Sequence, residues 1–293
     1  MLLRIFSITL IALGVVVASA LWAGQRRWDG ATAEFKARLD ATIKPARVAV
    51  YSKQELDGLP PPVARYLRQV LRDGQPMIRR TQIEWRGEFN MGQPSADNWK
   101  ALAATQVYVV DTPGFVWHAR IAMAPAIPVL VRDMFLAGKG SMLGKIAGWI
   151  TVIDAAQTPQ LSTAALQRHL GEAIWFPTAL LPSQGVRWEP INDGRSRATL
   201  SADGVTASVE FHFGVDGLVD AVVVPDRLFD NGKSPPVPRL WRAQVLGWRE
   251  FEGIKLPANA VAEWVLDSGV YAYWRGTPVS VTHDATQILK RAN

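Results

Sequence analysis

The stretch Leu161-Ser-Thr-Ala-Ala-Leu-Gln-Arg-His-Leu-Gly-Glu-Ala-Ile-Trp-Phe-Pro-Thr-Ala-Leu-Leu-Pro182 decides the fold, because it predicts the clearest helix in the body of the chain. Its apolar residues recur at i, i+4, i+7 and i+8, the spacing of one buried face: Leu166, Leu170, Ala173 and Ile174. The hydroxyl of Ser162 or Thr163 is expected to cap the first turn. Pro177 ends the helix, because proline lacks an N–H and disfavours helical geometry in the residue before it.

Arg168 and Glu172 fall on the opposite side of this helix. They are expected to face solvent as an i, i+4 pair in the weaker Arg-first order. On both sides of the helix the period changes to two, as in residues 81–89, 115–123 and 205–213, which is typical of half-buried strands. Asp-Gly pairs separate the later strands at 193–194, 203–204 and 216–217. The pattern predicts an α+β fold: a curved, half-barrel-like antiparallel sheet of roughly ten strands packed on the central helix.

Two further segments matter for the body, which is predicted to be one domain over residues 55–284. Residues 59–71 predict a helix that three prolines open, with one apolar face: Val63, Tyr66, Leu67, Val70 and Leu71. Residues 225–238 are too rich in proline for a central strand and predict a long surface loop. A short C-terminal tail is expected at residues 285–293.

The N-terminal segment, residues 1–28, is predicted to be a membrane anchor or a signal segment. Residues 5–23 carry no charge and are long enough to cross a bilayer as a helix. The alternative is a cleaved signal peptide with Ala18-Ser19-Ala20 as its cleavage site. A retained anchor is favoured, because the apolar run continues past that site through Trp22. Residues 29–54 are then expected to be a stalk that leads away from the membrane.

The side of the membrane is a separate question. More Lys and Arg follow the span than precede it, and the positive-inside rule alone would keep the body cytoplasmic. A short basic tail before one apolar run is instead typical of export signals. We expect a single-pass protein of the inner (plasma) membrane with its body on the periplasmic side, and the sequence leaves the orientation open.

The composition restricts the partners. The net charge is +6, but Lys and Arg are mixed with acids and form no basic run, so a nucleic-acid partner is not expected. The chain has no cysteine, which excludes disulfides, thiolate metal sites and cysteine nucleophiles. Twelve tryptophans in 293 residues indicate either a thick aromatic core or a cavity for an apolar ligand.

Several catalytic motifs fail on inspection. Residues 138–145 are rich in glycine, but Lys139 stands where a phosphate loop needs glycine, and Ile146 stands where it needs a hydroxyl. The four histidines are far apart in sequence, and no Gly-x-Ser-x-Gly elbow occurs. No cofactor and no metal are expected.

The candidate site is a cavity in the concave face of the sheet. Its expected apolar lining is Trp85, Trp117, Trp175, Trp188 and Trp264. Arg132 and Asp133 interrupt an apolar strand, and Lys139 follows them. Arg132 and Asp133 are expected either to form a polar rim beside the cavity together with Lys139, or to be a strand-end ion pair of little consequence for stability.

Five segments resemble an uncharacterised bacterial family of membrane-anchored proteins, a domain of unknown function. They are 59–67, 99–106, 115–120, 132–140 and, above all, 166–182. The resemblance implies no activity. A looser, architectural likeness is to the periplasmic lipoprotein carriers, whose antiparallel sheet curves over a helix, and it implies little about function by itself.

Three hypotheses follow. The first is a membrane-anchored envelope protein that binds a lipid or other apolar small molecule without catalysis. The second is a structural or interaction protein of the envelope with no ligand cavity. The third is an enzyme that uses Asp133, His118 or His212 as acid or base, which requires at least two of these side chains to converge.

Overall fold

The computed structural model of the chain describes residues 2–45, 49–94, 96–155, 157–230 and 235–284. The expected tail at 285–293 lies outside these residues. The described residues form three α-helices: α1 (Leu2–Asp40), α2 (Pro61–Val70) and α3 (Pro159–Glu172). Short 3₁₀ turns follow α3 at Ala173–Trp175, Pro177–Leu180 and Pro182–Gln184.

The strands before α3 are β1 (Arg80–Asn90), β2 (Trp99–Val109), β3 (Gly114–Ala124), β4 (Ile127–Leu136), β5 (Lys139–Ile146) and β6 (Ile150–Ala155). Those after it are β7 (Arg187–Asn192), β8 (Arg195–Ala202), β9 (Val205–Phe213), β10 (Val219–Phe229), β11 (Val237–Val245), β12 (Trp248–Phe251), β13 (Ile254–Pro257), β14 (Ala260–Leu266) and β15 (Gly269–Asp284).

Thirteen strands form one curved antiparallel sheet in the order β6-β5-β4-β3-β2-β1-β15-β14-β11-β10-β9-β8-β7. Strands β12 and β13 form a separate hairpin. The fold class is therefore confirmed, but the expected count of roughly ten strands is too low. One reason is that residues 240–250 form two strands rather than one. Gly247 has a φ of 82°, a left-handed conformation that suits glycine, and it turns the chain between β11 and β12.

The expected loop at 225–238 is wrong in its first part, because β10 continues to Phe229. The register of β10 against β11 shifts between Val224 and Arg227, so a bulge takes up the intervening residues. Pro225 lies within this bulge, where its missing N–H interrupts no regular ladder. Regular pairing resumes at Arg227, which lies opposite Arg239 on β11.

Helix α3 packs on the concave face of the sheet with the face that the sequence indicates. Leu166, Leu170 and Ile174 are each at most 1% exposed. The start of the helix differs from the expectation, because Thr158 is the cap and its hydroxyl accepts from the N–H of Leu161 at 3.1 Å. Ser162 instead accepts from the backbone N–H of Gly140 on β5. Its hydroxyl therefore ties the helix to the sheet.

Helix α1 does not end at the proposed membrane boundary but continues to Asp40 on the convex face of the sheet. Its sheet-facing residues recur at heptad-like spacing: Trp28, Thr32, Phe35 and Leu39. Lys36 donates to the hydroxyl of Thr105 at 2.8 Å, and Asp40 accepts from Arg80 at 2.7 Å. Residues 29–40 thus dock on the body, which differs from the stalk that we expected there.

Helix α2 is confirmed, and the side chains of its expected apolar face are buried. Within the described residues, α1 is the one helix long and apolar enough to cross a membrane. The side chains of residues 6–20 are exposed on the outside of the body.

Candidate ligand cavity

A cavity with a volume of about 360 Å³ lies between α3 and the concave face of the sheet. Most of its wall is apolar and comes from strands on both halves of the sheet. The aromatic lining consists of Phe89, Trp117, Trp175, Trp241, Tyr273 and Trp274. Four charged side chains also reach the cavity: Asp133, Arg168, Glu172 and Arg227. The volume falls at the lower end of the range of about 300–1,000 Å³ for small-molecule sites.

Arg168 is the centre of a charged network at the wall of this cavity. Its Nη1 donates to Oδ2 of Asp133 on β4 at 2.6 Å, and its Nε donates to Oε1 of Glu172 at 2.9 Å. The other oxygen of Glu172 accepts from Gln106 and from the hydroxyl of Tyr108, each at 2.8 Å. Both carboxylates therefore have arginine as a partner, and the i, i+4 pair faces the sheet rather than solvent.

The environment of Arg168 sets its charge. Burial on its own would lower the pKa of this guanidinium, but Glu172 and Asp133 outweigh it and raise the pKa above its ordinary value. The guanidinium also lies 5.1 Å from the ring centroids of Phe115 and Trp117. Arg168 is therefore a permanent cation whose charge the two carboxylates neutralise within the wall.

Arg227 differs from Arg168, because no carboxylate among the described residues forms an ion pair with it. Its Nη2 donates to the backbone carbonyl of Ala164 on α3 at 3.3 Å. Its guanidinium carbon lies 4.6 Å from the ring of Trp241 and 5.9 Å from that of Trp264. Burial lowers its pKa, because the surroundings solvate its charge poorly.

The structure brings two of the five expected tryptophans to the cavity, Trp117 and Trp175. Trp85 lies behind them, with its ring 5.1 Å from Trp175 in an edge contact. Trp264 packs on Phe229 and does not line the cavity. Trp188 belongs to the core of the other half of the sheet.

There Trp188 packs on Phe211 at 5.1 Å and donates its indole N–H to the carbonyl of Leu180. The sequence missed Trp241 and Trp274, which do line the cavity. All of these tryptophans except Trp175, which lies in the 3₁₀ turn after α3, lie in strands. Their spacing along the chain therefore could not distinguish a core position from a lining position.

The three residues of the expected polar rim do not lie together. Asp133 faces the cavity, whereas Arg132, the next residue on β4, points to the convex face. There its guanidinium lies 4.8 Å from the ring of Trp28 and 4.5 Å from that of Phe35, both on α1. Lys139 is exposed at the start of β5. Neighbouring strand residues point to opposite faces, so Arg132 and Asp133 could not both border one cavity.

The possible acid–base residues also lie apart. His118 pairs across the sheet with Arg132 and faces α1, with its Nε2 3.8 Å from Asp29. Burial, together with Lys36, lowers the pKa of His118 to about 4. His212 lies on β9 with its Nε2 3.6 Å from Glu210. Neither histidine joins Asp133 at the cavity, and the described residues contain no cluster of metal-ligating side chains.

The cavity reaches the surface at the end of the sheet where the apolar helix leaves the body. Met91 and Val152 both line the cavity, and they are 39% and 49% exposed. At this end the indole N–H of Trp149 donates to the backbone carbonyl of Ala20 on α1 at 2.9 Å. A cavity opening and the apolar half of α1 therefore share one end of the body.

The fold and the cavity define the class of protein: a curved antiparallel sheet wrapped around a helix, with an apolar cavity between them. The chain belongs to a family of unknown function, DUF6544, whose family model matches residues 49–276. The resemblance to a family with no established activity is thereby confirmed. A search of curated proteins finds no match.

Solved structures from other families align with this chain at low identity. A DUF1329 family protein from Desulfovibrio piger aligns at 10% identity and a TM-score of 0.36, over 80% of this chain and 94% of its own. A LolA superfamily protein from Nitrosomonas europaea aligns at 11% identity and a TM-score of 0.33, over 80% and 94%. A β-barrel-like protein of DUF1849 from Brucella abortus aligns at 13% identity and a TM-score of 0.22, over 71% of this chain and 99% of its own. At these values the alignments say nothing about what this chain binds.

Proposed function

We propose that this protein is a membrane-anchored envelope protein that holds a lipid chain or another apolar ligand in the cavity between α3 and the sheet, without catalysis. The observation that carries the proposal is the cavity itself, with six aromatic side chains in a largely apolar wall. Apolar walls with a few placed polar groups are typical of small-molecule sites. Each methylene group that leaves water contributes about 0.8 kcal/mol to binding.

The charged network beside the cavity supports a binding role rather than a reactive one. Asp133 and Glu172 both pair with Arg168, and Glu172 accepts two further hydrogen bonds. Charge-assisted hydrogen bonds of this kind engage both carboxylates in contacts within the wall. The network instead holds α3 on the sheet and so maintains the shape of the wall.

The position of the opening supports a ligand that comes from a membrane. Residues 5–23 are uncharged, and α1 carries them away from the end of the body where Met91 and Val152 border the opening. A retained anchor would keep this opening close to the bilayer surface. We propose a single-pass protein of the inner membrane with a periplasmic body, in which a lipid chain enters the cavity directly from the adjacent leaflet.

The competing proposal is a structural or interaction protein whose tryptophans only fill its core. That role needs no cavity, whereas a volume of about 360 Å³ lies between α3 and the sheet. Interiors of this size are normally filled by side chains, and voids larger than a water molecule are few. The ligand-binding proposal explains why side chains leave this volume unfilled.

The test uses the full-length chain in nanodiscs of neutral phosphatidylcholine. A brominated fatty alcohol is added, because bromine quenches tryptophan fluorescence on contact. We expect saturable quenching in the wild type and strongly reduced quenching in Ala243→Phe, whose ring would fill the cavity. Ala101→Phe is the matched control, since Ala101 is exposed on β2, and it should behave like the wild type. Equal quenching in all three proteins would show that the fatty alcohol does not bind in the cavity.

A further inference from the structure

Arg227 has unused hydrogen-bonding capacity at the cavity. Its Nη1 is buried and has no partner among the described residues. Arginine stays protonated in proteins and carries five N–H donors in the plane of the guanidinium. An unsatisfied buried donor costs free energy, and more so when the group is charged. Nη1 of Arg227 therefore lacks a hydrogen-bond acceptor among the described residues.

The aromatic contacts of Arg227 do not meet that requirement. Trp241 and Trp264 lie 4.6 Å and 5.9 Å from its guanidinium carbon, and such contacts use the flat face of the group. The N–H donors lie in the plane of the guanidinium, and although Nη2 donates to Ala164, Nη1 remains available. Stacking on a ring is a common way to hold an arginine whose edge binds a carboxylate or phosphate.

The acids of the cavity are already engaged elsewhere. Asp133 and Glu172 both form ion pairs with Arg168, and neither forms one with Arg227. Tyr273 accepts a hydrogen bond at its hydroxyl from the indole of Trp241. Among the described residues, the lining thus holds two cations and two anions, and both anions pair with Arg168.

Arg227 also lies in the wall of a second depression. Its wall includes Asp154, Asp226 and Asp230, together with the first turns of α3. Asp154 and Asp226 form no ion pair with Arg227 within the described part of the chain. Arg227 also lines the apolar cavity, where no carboxylate of the described residues forms an ion pair with it.

We propose that the ligand of this cavity is an anionic amphiphile with a single chain, whose carboxylate or phosphate head binds the guanidinium of Arg227. This inference rests on the proposed function and names the class of its ligand. An oxygen of the head would accept from Nη1, and the chain would lie along the aromatic wall. A planar carboxylate or a phosphate group fits the edge of a guanidinium better than a neutral hydroxyl does. A volume of about 360 Å³ suits one chain rather than a complete two-chain lipid.

The test compares four probes on the full-length chain in phosphatidylcholine nanodiscs. They are dibromostearic acid, the dibrominated alcohol of the same length, the corresponding alkyl phosphate, and inorganic phosphate as a competitor. We expect the acid and the alkyl phosphate to bind at least roughly tenfold more tightly than the alcohol, because charge-assisted hydrogen bonds are about twice as strong as neutral ones. Inorganic phosphate should displace neither, because it lacks the chain. Displacement by inorganic phosphate would identify a free-anion site instead and overturn the amphiphile.

Arg227→Met is the deciding variant, because it keeps an extended apolar side chain and removes the charge. It should bind the alcohol as the wild type does and lose the preference for the acid and the alkyl phosphate. Arg275→Met is the matched control: Arg275 stacks on Trp99 at 4.3 Å and pairs with Glu88 outside the cavity, so the preference should persist. Retained alcohol binding shows that each variant is folded, and Arg227→Gln provides a second uncharged variant.

The outcomes separate the two proposals. Equal binding of acid and alcohol by the wild type, or an undiminished preference in Arg227→Met, overturns the anionic head and leaves an apolar ligand in place. Binding of none of the brominated chains overturns the proposed function, and this inference with it.

Discussion

Arg168 and Asp133 join the central helix to the sheet: Nη1 of Arg168 on α3 donates to Oδ2 of Asp133 on β4 at 2.6 Å. The same guanidinium holds Glu172 one turn further along the helix. The side chains of Arg168 and Asp133 are only 18% and 9% exposed, so water screens this pair poorly. One arginine thus fixes the position of α3 over the cavity and neutralises both carboxylates of its wall.

Replacing Arg168 with methionine should destabilise the protein strongly. Asp133 and Glu172 would remain close together in a poorly solvated site without a cation, and removing one partner of a buried ion pair costs roughly 3–5 kcal/mol. We expect the Arg168→Met variant to unfold at a much lower urea concentration than the wild type. The measurement is urea unfolding in detergent, monitored by tryptophan fluorescence.

The triple variant Arg168→Met, Asp133→Asn, Glu172→Gln separates lost charge from lost packing. It removes all three charges together and should recover much of the lost stability, because no unpaired carboxylate remains. If the triple variant is as unstable as Arg168→Met alone, the pair has no electrostatic role and the arginine acts through its packing.

The sequence predicted the fold better than it predicted this network. The period of two, the Asp-Gly turns and the apolar face of residues 166–174 were sufficient for a curved antiparallel sheet on a central helix, because these features are local. Arg168 and Glu172 were expected in solvent, since their face of the helix is polar. In the structure that face meets Asp133, Gln106 and Tyr108, which come from strands far away in the chain.

The sequence predicted an apolar cavity, but it could not predict which tryptophans line it. Tryptophans at strand positions indicate either a core or a lining, and only the curvature of the sheet decides between them. Arg227 carried one signal, because it follows Pro225 within two residues, and a proline in a strand is typical of a bulge. The spacing of Trp28, Thr32, Phe35 and Leu39 was a stronger signal for a docked helix, and it lay in the segment that we assigned to a stalk.

Acid should destabilise the body through its buried histidines. His169 is 2% exposed and packs on Tyr108 and Phe176, and burial lowers its pKa to about 3 despite a hydrogen bond with the backbone of Gly114. The unfolded chain binds a proton near pH 6.5, whereas the folded chain binds it only near pH 3. Stability is therefore complete above pH 6.5 and falls as the pH decreases through this window.

One such histidine costs about 1.4 kcal/mol for each pH unit below 6.5, or about 2 kcal/mol at pH 5. His169→Gln should be less stable than the wild type at pH 7.5 but should lose less on acidification to pH 5, as measured by urea unfolding at each pH. His212 is the comparison, because its side chain is 26% exposed and lies beside Glu210, so His212→Gln should change the slope less. If the free energy of unfolding depends on pH equally in the wild type and in His169→Gln, His169 is not the origin of the acid sensitivity.

Two glycines of α1 should respond in opposite ways to alanine. A Cβ on Gly24 would lie 2.2 Å from the backbone carbonyl of Ala147, so Gly24→Ala must push the helix away from the β5–β6 turn. Gly30 has no atom within 4 Å of its Cβ position, and alanine there should stabilise the helix by about 0.5–1 kcal/mol. Amide hydrogen exchange over residues 25–40 should become faster in Gly24→Ala and slower in Gly30→Ala. Equal exchange in both variants would mean that α1 is not held at this turn.

Trp149 should mark the depth at which the bilayer surface meets the body. Its indole N–H donates to the carbonyl of Ala20, near the end of the uncharged run, and its side chain is 47% exposed. Tryptophan prefers the membrane interface, where its apolar ring and its polar N–H are both accommodated. In nanodiscs whose phosphatidylcholine is brominated close to the headgroup, Trp149→Phe should therefore remove a clear part of the fluorescence quenching. Trp188→Phe should remove none, because Trp188 is buried against Phe211 in the other half of the sheet. If the two variants lose quenching equally, the β5–β6 turn does not contact the bilayer, and the direct route from the leaflet to the cavity is excluded.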